Sequence, residues 1–272
     1  MIWLGILLAP LLGGVVYGIE RVLRARMQRR VGPPVLQPFY DMAKLADKRP
    51  MIVHSAHAMG GIAHFLILWG TVAAMLLGWN LLYIVFIHLF ALIVLVLSAY
   101  SVRSPYSHVG ANRELLALVA YEPILILIAV AFYLKNGSFD VASVLSSPSL
   151  LSSMPFLFVA LLLILPIKTK KSPFDAVEAH QEIVGGVEIE YSGIFYEFLY
   201  AARFLEYLFI YGFVYLFGGD SPWLGALLVA GAFLAVNLID NATARVRIDH
   251  LLKIVYSLAL PLAVINIVWI SL

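Results

Sequence analysis

The chain has 272 residues, 62% of them hydrophobic and 12% charged, with a mean hydropathy of +0.95. Soluble domains run near 45–50% apolar and about 25% charged, so a single water-soluble core cannot hide this much apolar surface and lipid must cover the rest. A formal net charge of +2 lacks the phosphate-neutralising excess that nucleic-acid partners require, and the absence of cysteine excludes disulfides, thiolate zinc sites and iron–sulfur ligands in this chain. The composition predicts an all-α, polytopic transmembrane helical bundle.

Crossing the hydrocarbon core takes about 20 mostly apolar residues. In chain order, spans are predicted at Ile2–Leu23, Gly60–Trp79, Leu81–Tyr100, Leu115–Leu134, Met154–Ile167, Ile194–Phe217, Trp223–Asp240 and Leu251–Ile270, about eight in all. The fifth is short as drawn and is expected to start earlier, near Leu150. The first lacks a basic leader and runs directly into Glu20, Arg21 and Arg24, so it is expected to be retained rather than cleaved. Sixteen of the eighteen Lys and Arg residues fall in alternate loops and their flanks; Lys135 lies on the opposite side and Arg203 inside the sixth span. That asymmetry predicts both termini outside, the large loops in the cytoplasm, and a multi-pass protein of the cell membrane. With no internal repeat, low-complexity tract or long linker, residues 1–272 read as one membrane domain.

The first basic loop, residues 24–56, carries Arg24, Arg26, Arg29 and Arg30 ahead of Gly32-Pro33-Pro34. Those cations suit anionic lipid headgroups. The Gly-Pro-Pro break also predicts that the helix ends and the chain reverses, with Gly32 permitting the turn. Phe39–Ala46 then reads as a short amphipathic helix lying in the interface. The loop over residues 168–193 is acidic after its lysines. Ser172 and Pro173 predict a helix start, and Gly185-Gly186 its stop. On one continuous helix Asp175, Glu178 and Glu182 would share a face within about 60° of arc. Burial of three like charges would raise at least one pKa and make a proton carrier; the alternative is a solvated acidic face with Asp175 as a cap.

Ionisable groups at bilayer depth are costly and need a reason. The fourth span holds Tyr121-Glu122-Pro123, whose proline frees a backbone carbonyl for a side chain or water. The sixth holds Glu197, Arg203 and Glu206 and a polar-aromatic stripe of Tyr196, Tyr200, Arg203 and Tyr207 that must face protein or water. Arg203 and Glu206, three residues apart, are placed to pair with each other. Asn237 and Asp240 are expected to reach the interface, and the lone His64 and His88 to act as helix-packing donors. No HExxH motif or phosphate loop is present.

Four blocks give the chain a resemblance to a known family. They are Glu20-Arg21…Arg30…Gly32-Pro33…Gln37-Pro38…Asp41; Gly110…Arg113…Tyr121-Glu122; Pro173-Phe174-Asp175…Glu178…Glu182…Gly186…Glu190-Tyr191-Ser192-Gly193; and Arg245…Arg247…Asp249…Leu260-Pro261. In order and spacing they resemble the complex I subunit next to the quinone site, and more closely its relatives in energy-converting nickel–iron hydrogenases and formate hydrogenlyases. The chain departs from complex I members in its compact path from Pro34 to Gln37, in Lys168, Lys170 and Lys171, and in His180 and Ala117. Arg203 takes the family's acidic position in the sixth span, with Glu206 one turn later. These departures point to the hydrogenase branch, without a quinone.

The resemblance implies a membrane anchor that couples ferredoxin-driven proton reduction to proton or sodium translocation and binds no cofactor itself. The nickel–iron centre and iron–sulfur clusters would reside on partner subunits: hydrogenase-like large and small subunits and an iron–sulfur subunit, beside antiporter-like membrane subunits and lipid. It assigns ion coupling to Glu122, Asp175, Glu178, Glu182, Glu190 and Glu206. Docking of the peripheral arm, or structuring of the loops, falls to Glu20, Arg21, Arg30, Gly32, Pro33, Gln37, Asp41, Arg113, Arg245, Arg247 and Asp249. A sulfane-sulfur reductase or a quinone-type relative would use the same arm with another catalyst. A stand-alone secondary ion transporter is the rival from a different class.

Overall fold

The computed structural model describes residues 2–272, and the described residues form an all-helical bundle. Its α-helices are α1 (Ile2–Met27), α2 (Gln37–Asp47), α3 (Ser55–Leu76), α4 (Leu81–Tyr100), α5 (Pro105–Asn136), α6 (Val141–Leu145), α7 (Pro155–Lys168), α8 (His180–Ile183), α9 (Gly193–Leu216), α10 (Pro222–Ala242), α11 (Ile248–Ile254) and α12 (Leu260–Ser271). A π turn over Val255–Ala259 joins α11 and α12 into one 24-residue rod. Seven helices are long and apolar enough to cross a membrane: α1, α3, α4, α5, α9, α10 and the α11–α12 rod.

Helix ends follow local chemistry. The Asn80 side chain accepts from the backbone N–H groups of Leu82 and Tyr83 and so caps α4, while Gly137, at φ 73°, closes α5. Pro10 and Pro123 interrupt α1 and α5, and the carbonyl each leaves without a helical donor has found one. Ile6, four residues before Pro10, accepts from Trp69 Nε1 at 2.8 Å; Val119, four before Pro123, accepts from the Tyr256 hydroxyl at 3.2 Å.

Helix α9 is the axis. Its membrane-length window is 72% buried, against 22% for α1 and α10 at the periphery. It packs against α1, α2, α3, α7 and α10, and Phe204, Phe209 and Phe213 on it are fully buried. Gly13 allows α1 to approach closely, since a Cβ there would lie 2.3 Å from the Phe204 carbonyl oxygen.

The structure corrects several sequence expectations. The fifth predicted span is the 14-residue α7; Leu150 lies outside it, in turns, and the helix starts at Pro155. At 1.5 Å per residue α7 is about 21 Å long, short of the ~30 Å hydrocarbon thickness. Its first turn is tied by Asn266, whose side chain accepts from Leu157 N–H and donates to the Ser153 carbonyl. Just before it, Leu150 N–H bonds the Phe217 carbonyl at the end of α9. Starting level with that end, α7 stops inside the bundle, and the segment after it is sunk among the spans rather than floating at the surface.

That segment is not one helix. It is a 3₁₀ turn at Asp175–Val177, the single turn of α8, and a 3₁₀ turn at Gly186–Glu188. A helix of this length is marginal alone, and its carboxylates are drawn in three directions by cations on other elements. Val184, Gly185 and Gly186 all have positive φ and end α8. Gly186 also touches α5 at Gly110, where a Cβ would sit 2.5 Å from the Gly186 Cα. In the first loop, α2 forms where the amphipathic helix was predicted, but the left-handed residue of the reversal is Arg29 (φ 55°), not Gly32. Gly32 instead packs on α1, its absent Cβ 3.1 Å from the Val22 Cα.

By the positive-inside rule the side bearing Arg29 is expected to face the cytoplasm. Because the chain has no cysteine of its own, a single Arg29→Cys is expected to react with a membrane-impermeant maleimide in inside-out vesicles and not in right-side-out ones. Trp223→Cys is expected to show the reverse, and labelling of both from one side would overturn the orientation.

Candidate functional site

The turn at Lys168–Lys171 organises the interior. Lys170 takes a left-handed backbone conformation (φ 53°), and the three lysine side chains of the turn diverge to three separate carboxylate groups. They line a cavity of about 350 Å³ enclosed by α1, α3, α4, α5, α9, α10 and the loop. Its wall carries the cations Arg24, Lys168, Lys170, Lys171, Arg203 and Arg245 against the carboxylates Glu114, Asp175, Glu178, Glu188, Glu206 and Asp240, six of each. Balanced pairing is the condition for keeping so many charges out of bulk water.

Lys170 bridges Glu178 at 2.8 Å and Glu114 at 3.2 Å. Glu178 also meets Arg203 at 3.1 Å, and Arg203 grips both carboxylate oxygens of Glu188. Burial opposes ionisation of Glu178, but Arg203 and Lys170 outweigh it and hold its carboxyl down at about 2. Burial likewise opposes the Lys170 ammonium, yet Glu114 and Glu178 push its pKa up. On the opposite wall Lys171 pairs with Glu20, which also accepts from the Tyr207 hydroxyl. There burial prevails, and the Lys171 pKa is lowered despite Glu20. Arg24 completes that wall by pairing with Asp240 at 2.5 Å.

Toward the basic surface, Arg245 holds Asp175 through two hydrogen bonds, of 2.8 and 2.7 Å. Arg113 donates to Glu182 at 2.8 Å and to the Ala176 carbonyl at 2.7 Å. Glu182 is exposed, its carboxyl lowered chiefly by the Arg113 hydrogen bond; the Asp175 hydrogen bonds raise the Arg245 pKa. Inward, Lys168 contacts Glu206 at 2.9 Å and His88 at 2.5 Å, and the His88 ring stands between Glu206 and Glu122.

The structure brings Glu178 and Glu206 to the cavity wall, puts Glu122 behind His88, and leaves Asp175 and Glu182 at the rim. Glu190 joins no ion pair among the described residues and lies beside His57 in a shallow recess with Met51 and Tyr191. The expected mutual repulsion of Asp175, Glu178 and Glu182 is overturned, because each faces a cation and the pKa of Glu178 moves down. Arg203 and Glu206 do not pair: Arg203 turns to the loop and Glu206 to Lys168. Asp240 is half-buried, pairs with Arg24 and accepts from Ser172 N–H. His64 does act as a packing donor, to the Ala91 carbonyl at 2.8 Å. The sequence reading missed the roles of His88 and Lys168; the signal was a helix too short to carry Lys168 clear of the bundle.

Of the other assigned residues, Arg21 pairs with Asp41 at 2.6 Å and Gln37 donates to the same carboxylate at 2.8 Å, fastening α2 to α1. Although partial burial acts against it, the Arg21 hydrogen bond holds the Asp41 carboxyl below its usual value. Pro33 lies in the extended link to α2, Arg30 bonds only Gln28, and Arg247 and Asp249 pair at 2.8 Å on the exposed surface.

Seven helices of membrane length around a cavity lined by charged side chains define a polytopic membrane protein. A protein-family profile described as NADH dehydrogenase matches residues 1–271, and the chain belongs to that family, that of the complex I membrane subunit beside the quinone site. A subunit of the NADH-quinone oxidoreductase of Geobacillus kaustophilus (strain HTA426) is 28% identical over 303 residues, covering 97% of this chain and 90% of the relative. NADH-ubiquinone oxidoreductase chain 1 of Arabidopsis thaliana is also 28% identical, over 98% of this chain and 94% of its own length. Among solved structures, a chain of the membrane-bound sulfane sulfur reductase, an archaeal respiratory membrane complex, superposes with a TM-score of 0.86 at 22% identity. That match covers 99% of this chain and 98% of the other, a likeness of fold. The chain is thus a multi-pass membrane subunit of a complex I-like assembly.

Because its folded-state pKa lies near 2, below the ordinary 4.5, Glu178 contributes stability that is fully present above about pH 4.5 and is lost as pH falls toward 2. Glu178→Gln leaves Arg203 and Lys170 short of a counter-charge and is expected to cost on the order of 3 kcal/mol at pH 7. Thermal unfolding of the purified assembly is expected to show that deficit at pH 7 and its shrinkage below pH 4.5.

Proposed function

We propose that this chain is the membrane anchor and coupling subunit of a multisubunit energy-converting hydrogenase. In this reading, ferredoxin-driven proton reduction in a peripheral arm is linked to proton or sodium-ion translocation. The arm consists of hydrogenase-like large and small subunits and an iron–sulfur subunit, and antiporter-like subunits adjoin in the membrane. The observation that carries the proposal is the continuity of charge from the rim to the bundle interior. Arg113, Arg245 and Glu182 at the rim connect through the loop to Glu178 and Lys170, and the same turn carries Lys168 down to Glu206.

The coupling follows from electrostatics at low dielectric. A change of charge in an arm docked over Arg113, Glu182, Arg247 and Asp249 alters the field on the loop, whose pairs are held by Coulombic attraction rather than by a rigid helix. Redistribution among Arg203, Lys170 and Lys168 then changes which carboxylates inside the bundle hold a proton. Two features favour a branch without quinone. The cavity is lined by full charges, whereas small-molecule sites are mostly apolar with a few polar groups. The 303-residue match to the Geobacillus relative also exceeds the length of this chain, so that relative carries inserted segments absent here.

A sulfane-sulfur reductase is the second reading, favoured by the end-to-end fold match to a chain of such a complex. Metal analysis of the intact purified assembly separates the two. Stoichiometric nickel with hydrogen evolution is expected; a nickel-free assembly that reduces sulfane sulfur would select the second. Glu178→Gln is expected to lower the number of ions moved per electron at least roughly tenfold in reconstituted vesicles. A normal ratio in that variant would remove Glu178 from coupling, and ion flux by this chain alone would favour an independent transporter.

A further inference from the structure

His88, Lys168, Glu206 and Glu122 form a cluster in the middle of the bundle that packing alone does not explain. His88 is fully buried, and the side chains of Lys168 and Glu122 are 2% and 4% exposed. The Lys168 Nζ lies 2.5 Å from His88 Nε2. At that separation the two nitrogens cannot both point a proton at each other, so one proton lies between them. While Lys168 is an ammonium it donates, His88 Nε2 accepts, and the ring hydrogen must sit on Nδ1. Nδ1 faces Glu122 Oε1 at 2.9 Å, but the atoms are not aligned for a hydrogen bond, and neither oxygen of Glu122 accepts one from any other group. Glu206 stands within reach of both bases, 2.9 Å from Lys168 Nζ and 3.2 Å from His88 Nε2.

We infer that His88 is a two-state proton switch that passes a proton from Lys168, at the cavity, to Glu122, inside the bundle. The inference rests on the coupling role proposed above and assigns the proton as the species moved at this step. In the first state Lys168 is an ammonium, His88 carries its hydrogen on Nδ1 and Glu122 is ionised. In the transfer an N–H bond of Lys168 breaks as one forms at His88 Nε2, and the Nδ1–H bond breaks as an O–H bond forms on Glu122. No electron changes hands, and the total charge of the cluster is unchanged. In the second state Lys168 is a neutral amine, His88 donates from Nε2 to Glu206, and Glu122 is a carboxylic acid.

Glu206 therefore has a donor in each state, Lys168 in the first and His88 in the second. Phe209 stacks on the imidazole with ring centroids 4.1 Å apart and planes within 4°, which keeps each nitrogen on its own side during a transfer; once Glu122 has passed its proton on, a turn of the ring brings its remaining N–H back toward Glu122 and resets the first state. The small misalignment between Nδ1 and Glu122 makes transfer contingent on movement, so a shift of Lys168 driven from the loop can gate it.

The test uses the intact assembly in proteoliposomes, reading protons moved per electron. In Lys168→Arg the guanidinium keeps the charge opposite Glu206 but does not surrender a proton; in His88→Gln the amide keeps a polar contact but cannot relay one. Both are expected to lower the ratio by roughly a hundredfold. A near-normal ratio in Lys168→Arg would reduce Lys168 to a structural counter-charge and sink the relay. If both variants pump normally while Glu178→Gln does not, the relay is wrong and the coupling role survives; if all three pump normally, the coupling role fails too. Should the variants not assemble, nitrogen-15 spectra of histidine in the wild-type assembly decide. With lysine and histidine both labelled, a histidine with hydrogen on Nδ1 whose Nε2 accepts from a lysine ammonium is expected at rest, a signature that His64, donating from Nδ1 to a carbonyl, does not give; the absence of any lysine-bonded histidine would overturn the switch.

Discussion

The architecture depends on one constraint: charges held away from bulk water must be neutralised locally, and here a single turn supplies three of the six cavity cations. Removing an ion from water costs several kcal/mol even after relaxation, and only close partners with further hydrogen bonds offset it. Lys168, Lys170 and Lys171 each face a different wall of the cavity, so three side chains within four residues reach α1, α4, α5 and α9 together. The turn is where it is because α7 is short, and an irregular backbone is tolerated at that depth because it lines a polar cavity instead of meeting lipid.

Such an interior stores alternatives. A helical loop with its carboxylates along one face would have one preferred arrangement. The observed loop is instead a set of 3₁₀ turns whose side chains are shared: Lys170 between two carboxylates, Arg203 between two, Arg245 between two. Shared partners let one pair strengthen as another weakens, with little net cost, which is what transmission of a distant charge requires. The spans around it are fixed by fully buried aromatic side chains on α9, so the adjustable part sits in a rigid frame.

Kinship with the complex I membrane subunits explains the fold and the place of the loop, and the departures from that kinship give the cavity its particular chemistry. On α9, Arg203 turns to Glu178 and Glu188, and Glu206, one turn later, is answered by Lys168 and His88.

Much was legible in the linear chain. Hydropathy placed seven of the eight expected spans on helices of membrane length, because lipid imposes a length and a polarity that composition must satisfy; the Gly-Pro-Pro break foretold the amphipathic α2, and the motif blocks foretold the family. Pro123 foretold that a carbonyl of α5 needed an outside donor, though not that Tyr256 would supply it. What the chain did not disclose were the pairings. Arg203 and Glu206 are neighbours in helical spacing yet face different partners, and Asp175, Glu178 and Glu182 look like a repelling set until Arg245, Lys170 and Arg113 arrive from elsewhere. Whether a buried carboxylate is a proton carrier or half of an ion pair depends on cations many residues away, and only the packing of α7 against its neighbours brings those cations within reach.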